Sequence, residues 1–281
     1  MRKFVFVAAV SLLLVLPAAA QMNGGGLTNM MSTEILAPAA GRGAGASGSV
    51  WRTDLWIKSA AASRVTLEFH ANDSSTDSAT ATSHVTMATP LMFLPDVLRN
   101  NFGIEQGFGN IVIRGTSPVS ATVRAYTASG GGDYGSAFMA MPTSMAMRGS
   151  GGMMGGNDQY RLYVAGLLPQ PGARVNAMVT NAGAVPISGT IEILDADGQL
   201  ALGAHPSQTF TLRAYSSHQF GDVLGGLTSR FGDGSGMQLR LHLADGSTGM
   251  VMMLVSVVDN VTNDTYTVMG SMMNSSGGMM P

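Results

Sequence analysis

The sequence predicts an all-β chain: two tandem antiparallel β-sandwiches built on one plan, each carrying one short helix. Three observations predict this. The chain repeats itself internally, its apolar residues recur at every second position, and turn-forming clusters separate those runs.

The repeat is read by laying the second half on the first. "WRTDLWI" (51–57) matches "ARVNAMV" (173–179), and "VTLEF" (65–69) matches "GTIEI" (189–193). "ATSHVTMATPLMFLPDVLRNNFG" then matches "SQTFTLRAYSSHQFGDVLGGLTSRFG", and "GNIVIRG" matches "MQLRLHL". Last, "VSATVRAYTASGGGDYGSAFMAMP" matches "TGMVMMLVSVVDNVTNDTYTVMG". The matches keep the same order, and the offset between them grows slowly, as loop insertions would make it.

The elements follow in order. Residues 1–20 read as a secretory signal peptide: Arg2 and Lys3, then "FVFVAAVSLLLVL", then small residues at Ala18 and Ala20, with cleavage before Gln21. No later apolar stretch is long enough to span a bilayer, so no transmembrane segment is expected after cleavage. Residues 21–33 read as a flexible leader and 34–142 as the first sandwich. There Trp51, Thr53, Leu55 and Ile57 alternate with Arg52, Asp54 and Trp56, the period of a half-buried strand. "PDVLRNNF" breaks that period, and Val97, Leu98 and Phe102 fall at helical spacing. A short helix is expected at about 96–102, with Asp96 as its N-cap and Gly103 as its stop.

Residues 143–158 are rich in Gly and Met and read as a flexible linker. The second sandwich spans 159–270, with Leu239, Leu241 and Leu243 alternating along one strand and "DADG" at 195 marking a hairpin. Its helix is expected at about 222–230, capped by Asp222. Residues 271–281 read as a disordered, Met-rich tail.

Composition excludes several functions. Charged residues are 11% of the chain and the net charge is -2, so no basic surface is available for nucleic acid. The chain has no Cys, so packing alone must stabilise an exported fold. Two G-x-G-x-x-G matches, at Gly43 and Gly130, run into strands rather than helices, which is wrong for a nucleotide site. The five His are scattered, and no G-x-S-x-G elbow occurs. The expectation is therefore a non-enzyme without a cofactor.

Three sets of candidate site residues stand out. Met145, Met147, Met153 and Met154 are soft thioether ligands that would suit Cu(I), against the plainer reading of adaptable apolar contacts. Asp195 and Asp197 resemble part of a calcium loop, but the oxygen count favours a turn. The third set is Trp51, Arg52, Asp54, Trp56, Arg124 and Tyr126. These polar and aromatic residues of the first copy are largely replaced in the second, where "WRTD" becomes "ARVN" and "RAYT" becomes "SVVD". They are the expected binding residues, with an outward aromatic able to stack on a sugar or dock a partner.

"GS-x-WRTDLWI", "DVL-x-x-x-FG" and "VRAYT…YG" together resemble uncharacterised secreted bacterial proteins with tandem immunoglobulin-like β-sandwiches, over about residues 34–270. The resemblance implies an architecture and no activity. The expected role is a structural or adhesion-type interaction protein in the periplasm, at the cell surface or outside the cell. Its partner would be another envelope or extracellular protein, or itself. Carbohydrate binding by the first copy's aromatics is one alternative, and periplasmic Cu(I) handling is the other.

Overall fold

The computed structural model of the protein describes residues 30–45, 50–129, 132–149, 161–167, 172–195, 197–225, 236–261 and 264–273. The signal-peptide segment 1–20, Met153 and Met154 lie outside the described residues.

The first half comprises β1 (Ser32–Ala44), β2 (Val50–Ser59), β3 (Ser63–Ala71), β4 (Ala81–Met87) and β5 (Leu91–Leu94). The helix α1 (Val97–Phe102), the long β6 (Gly107–Ser129), β7 (Gly132–Met139) and β8 (Met141–Pro142) complete it. Every ladder is antiparallel. Strand β6 serves two layers. Its segment Gly109–Gly115 lies between β1 and β3, and its segment Val119–Ala128 pairs with β2 and β7. The change of layer falls at Thr116–Pro118. Pro118 has no N–H for a ladder, and Gly115 lets the backbone crowd: a Cβ there would sit 2.5 Å from the Ser117 carbonyl oxygen. Period-two alternation sends Leu55 and Ile57 of β2, and Val65, Leu67 and Phe69 of β3, into the core between the layers. Full burial of such a side chain contributes about 1.5–3 kcal/mol.

The second half comprises β9 (Met147–Arg148), β10 (Arg161–Leu167), β11 (Ala173–Asn181), β12 (Ile187–Leu194) and β13 (Ser207–Leu212). It continues with β14 (Ser217–Phe220), β15 (Met237–Leu243), β16 (Met250–Asp259), β17 (Thr265–Met269) and β18 (Ser271–Met273). One sheet runs β13-β12-β15-β10-β18 and the other β14-β11-β16-β17, with β9 on β16. The first half follows the same order, β4-β3-β6-β1 with β8 beyond β1, and β5-β2-β6 with β7 beyond β6. But β1 also pairs with β2, Gly43 with Trp51 and Ala44 with Val50, which joins all of these strands into one eight-stranded sheet. A register shift falls between Ala37 and Ala40 in β1, and between Val164 and Leu167 in β10. The pairing of β2 with β5 recurs as β11 with β14, and that of β3 with β6 recurs as β12 with β15.

Four expectations need correction. The linker expected at 143–158 is folded over its first part: Thr143–Met145 form a 3-10 turn, and β9 pairs with β16 through Met147 and Val251. Residues 150–158 lie outside the described residues. The leader ends earlier than expected, because Ser32 and Thr33 already belong to β1. The tail begins later, because Ser271–Met273 pair with β10 as β18. In each case a Met- or Gly-rich stretch finds an open strand edge and satisfies its backbone there. Finally, Asp222 lies in a turn over 221–225 rather than in a described helix, and residues 226–230 lie outside the described residues.

Asp96 also departs from expectation. It precedes α1, but its side chain makes no capping bond and its φ is 42°. An N-cap side chain reaches the next amides from extended backbone; in the left-handed region the carboxylate is directed elsewhere. It pairs with Arg42, Oδ2 to Nη1 at 3.3 Å. The end of α1 is glycine chemistry: Gly103, at φ 70°, donates its N–H to the Arg99 carbonyl, and Ile104 donates to Leu98.

The two halves are docked on each other, not strung on a free tether. Met178 and Leu254 of the second half pack into the core of the first. Thr180 donates to the Pro38 carbonyl at 3.0 Å. Asn110 donates to the Tyr215 carbonyl at 2.7 Å, and Asn72 forms a parallel bridge with Ser217. Among the described residues, no helix is long and apolar enough to cross a membrane.

Candidate functional site

Strand β2 displays Arg52, Asp54 and Trp56 on its outer side. The ladder sets Tyr126 opposite Arg52, Arg124 opposite Asp54 and Thr122 opposite Trp56, and β5 adds Phe93 beside Trp56. Five of the six expected binding residues therefore share one sheet face, and Trp51 points to the other side. The face is internally organised. The Trp56 and Phe93 rings stack with centroids 4.7 Å apart and planes at 23°. The Arg124 guanidinium lies 4.3 Å from the Tyr126 ring centroid and pairs with Asp133 at 3.3 Å. The Tyr126 hydroxyl donates to Asp54 at 3.4 Å. Burial, then the Asp54 charge, push the Tyr126 phenol above its usual range, with Arg52 and Arg124 opposing. Asp54 itself is buried and accepts the Asp96 backbone N–H at 2.9 Å. Phe93, missed by the sequence reading, is 49% exposed; its place opposite Trp56 depended on a register that the sequence does not state.

The corresponding face of the second half, on β11 and β16, is used differently. Where the first half has Arg52, Asp54 and Trp56, the second has Arg174, Asn176 and Met178. Leu254 and Ser256 lie on the same side as these residues. This face covers the open end of the first sandwich and leaves a cavity of about 460 Å³ between the halves. Ala40, Trp51, Phe108 and Phe138 line one wall; Arg174, Met178, Leu254 and Val258 line the other. A bond between Ser136 and Thr267, 2.8 Å long, ties the walls together. Arg52 and Trp51 both line the cavity, although they belong to opposite faces of β2. Arg174 is a further residue the sequence reading passed over, and its alignment with Arg52 was the available signal.

Of the metal candidates, Met145, Met147, Asp195 and Asp197 are described. Asp195 Oδ1 accepts the N–H groups of Asp197 (3.0 Å) and Gln199 (2.9 Å), which is turn chemistry. Met147 is 1% exposed within the second core, so its sulfur is a packing group; this corrects its place among the copper candidates. Met145, 39% exposed, lies apart from that core. Among the described residues, no group of three or more His, Cys, Asp or Glu is placed to hold a metal ion.

No family model matches the chain, and no curated protein sequence matches it. Among solved structures it is similar to the Pleurotus ostreatus lectin in its apo form, at 7% identity and a TM-score of 0.26, covering 88% of this chain and 79% of that one. The same lectin in complex with GalNAc gives 8% identity and a TM-score of 0.22, over 88% of this chain and 80% of that one. A Streptomyces avermitilis α-L-rhamnosidase complexed with L-rhamnose gives 9% and 0.23, over 86% of this chain and 27% of that one.

Proposed function

We propose that the chain is an exported, non-enzymatic interaction protein of the bacterial envelope, of structural or adhesion type, and that the outer face around Trp56, Phe93, Arg124 and Tyr126 is its binding surface. One observation carries the reading. Two sheet faces occupy the same place in the repeated plan; the second half spends its copy on docking the first half, and the first half leaves its copy open. The closed face buries Met178 and Leu254 against the first half. The open one carries aromatic rings and paired charges, the composition of interface anchors.

In this reading the halves descend from one duplicated, immunoglobulin-like unit. The common strand order, the matched register shifts and the two aspartates at φ 42° support it. A polypeptide partner is favoured over a sugar, because Trp56 and Phe93 stack on each other. A saccharide platform would want two ring planes lying side by side.

The test is a pull-down from native envelope extract, repeated with Trp56→Ala and Phe93→Ala. The expected result is a defined partner, or a second copy of the chain, retained by the parent protein and lost from both variants. Equal retention by all three proteins would sink the reading, and a glycan array bound through Trp56 would replace it with carbohydrate recognition.

A further inference from the structure

We propose that the cavity between the two halves is a second, separate site, which takes an anion with an apolar body. Its location is typical of small-molecule sites, which favour the junctions of domains, and about 460 Å³ falls within their usual size range. Its chemistry is one-sided. The whole chain has more acidic than basic side chains, 17 against 15. Yet the described residues lining this cavity include two arginines and no Asp or Glu.

The two arginines come from aligned positions, Arg52 in the first half and Arg174 in the second, and both line the cavity, where the Arg174 guanidinium has a neutral partner, the Asn260 side-chain oxygen. Much of the wall around them is apolar, with Trp51, Phe108, Phe138, Met178, Leu254 and Val258, and its polar part is neutral: Ser136, Asn176, Gln219, Ser256, Thr265 and Thr267. Two arginines on a largely apolar lining suit one charged head and one hydrophobic body on the same molecule. Arg52 supplies an independent sign. Its Nε is buried without a hydrogen-bond partner. A buried donor left unpaired is costly, and an anionic oxygen brought to Arg52 would satisfy it. A fatty carboxylate of medium length is the simplest ligand of this class.

The chain has two tryptophans, and one of them, Trp51, lines the cavity. Trp56→Phe therefore leaves a single reporter at the site. Its fluorescence is followed during titration with octanoate, octan-1-ol and octylammonium. Octanoate is expected to shift the emission saturably, with the alcohol at least tenfold weaker and the ammonium inert. Arg52→Gln and Arg174→Gln, made in the same background and checked for folding by circular dichroism, are expected each to weaken octanoate at least tenfold while leaving the alcohol unchanged. Absence of octanoate binding, equal binding of the alcohol, or unchanged affinity in both glutamine variants overturns the proposal. Arg174 lies away from the open face of β2, so the partner pull-down is unaffected by Arg174→Gln and the two proposals fail separately.

Discussion

Asp54 accepts the backbone N–H of Asp96 at 2.9 Å, and in the second half Asn176 accepts that of Asp222 at 3.1 Å. Both accepting residues sit at the same place in their strands, and both donors have φ 42°. A non-glycine residue there is strained, and an acceptor held by a neighbouring strand fixes it. The second half already uses an amide, so Asp54→Asn is expected to keep the bond and change stability by less than about 1 kcal/mol. Asp54→Ala leaves the amide unpaired and is expected to cost about 1–3 kcal/mol. Urea unfolding of the two variants measures the difference.

Arg114 bridges the first half's outer charges. It bonds Glu34 at 2.8 Å and also bonds Glu68, and its guanidinium lies 5.2 Å from the Tyr215 ring centroid in the second half. Burial works against its charge, but the bonds to Glu68 and Glu34 outweigh burial and hold its pKa above the usual range. Arg114→Met is expected to lose about 1–3 kcal/mol by urea unfolding, because two carboxylates are left facing each other. Adding Glu68→Gln is expected to restore part of that loss.

His70 makes stability depend on pH. It is 2% exposed, neither ring nitrogen has a hydrogen-bond partner, and Glu68 is 3.8 Å from Nε2, beyond bonding distance. Burial lowers its pKa from the ordinary 6.5, with Glu68 opposing and Arg114 assisting. The unfolded chain therefore binds the proton first as pH falls through 6.5, and stability declines from there downward. Thermal unfolding between pH 7.5 and 5 is expected to show this slope, reduced in His70→Gln.

Docking of the halves predicts cooperative unfolding. Leu254 is a buried side chain of the second half inside the first half's core. Leu254→Ala is expected to cost about 2–5 kcal/mol. The parent protein is expected to unfold in urea as one transition, and Leu254→Asp, which places a charge in that contact, as two.

Some of this was legible in the sequence and some was not. The faces of β2 were legible because Thr53, Leu55 and Ile57 alternate strictly with Arg52, Asp54 and Trp56. The closed face was not, because Met178 and Leu254 lie among apolar neighbours, where period-two reading cannot tell a core from a docking surface. Thr143–Arg148 read as linker from composition, yet its backbone completes the edge of β16. Asp96 has a capping residue's identity in a conformation that forbids capping, and φ is invisible in a string of letters. The cavity arises from tertiary docking, so only the alignment of Arg52 with Arg174 foreshadowed it.

Strand β6 runs without interruption through both layers of the first half, whereas β15 and β16 divide the same path in the second. A tensile load on the first half is thus carried by one continuous ribbon, whose ladders must shear together. In the second half residues 244–249 separate the two segments, so in single-molecule stretching the C-terminal unit is expected to yield before the N-terminal one.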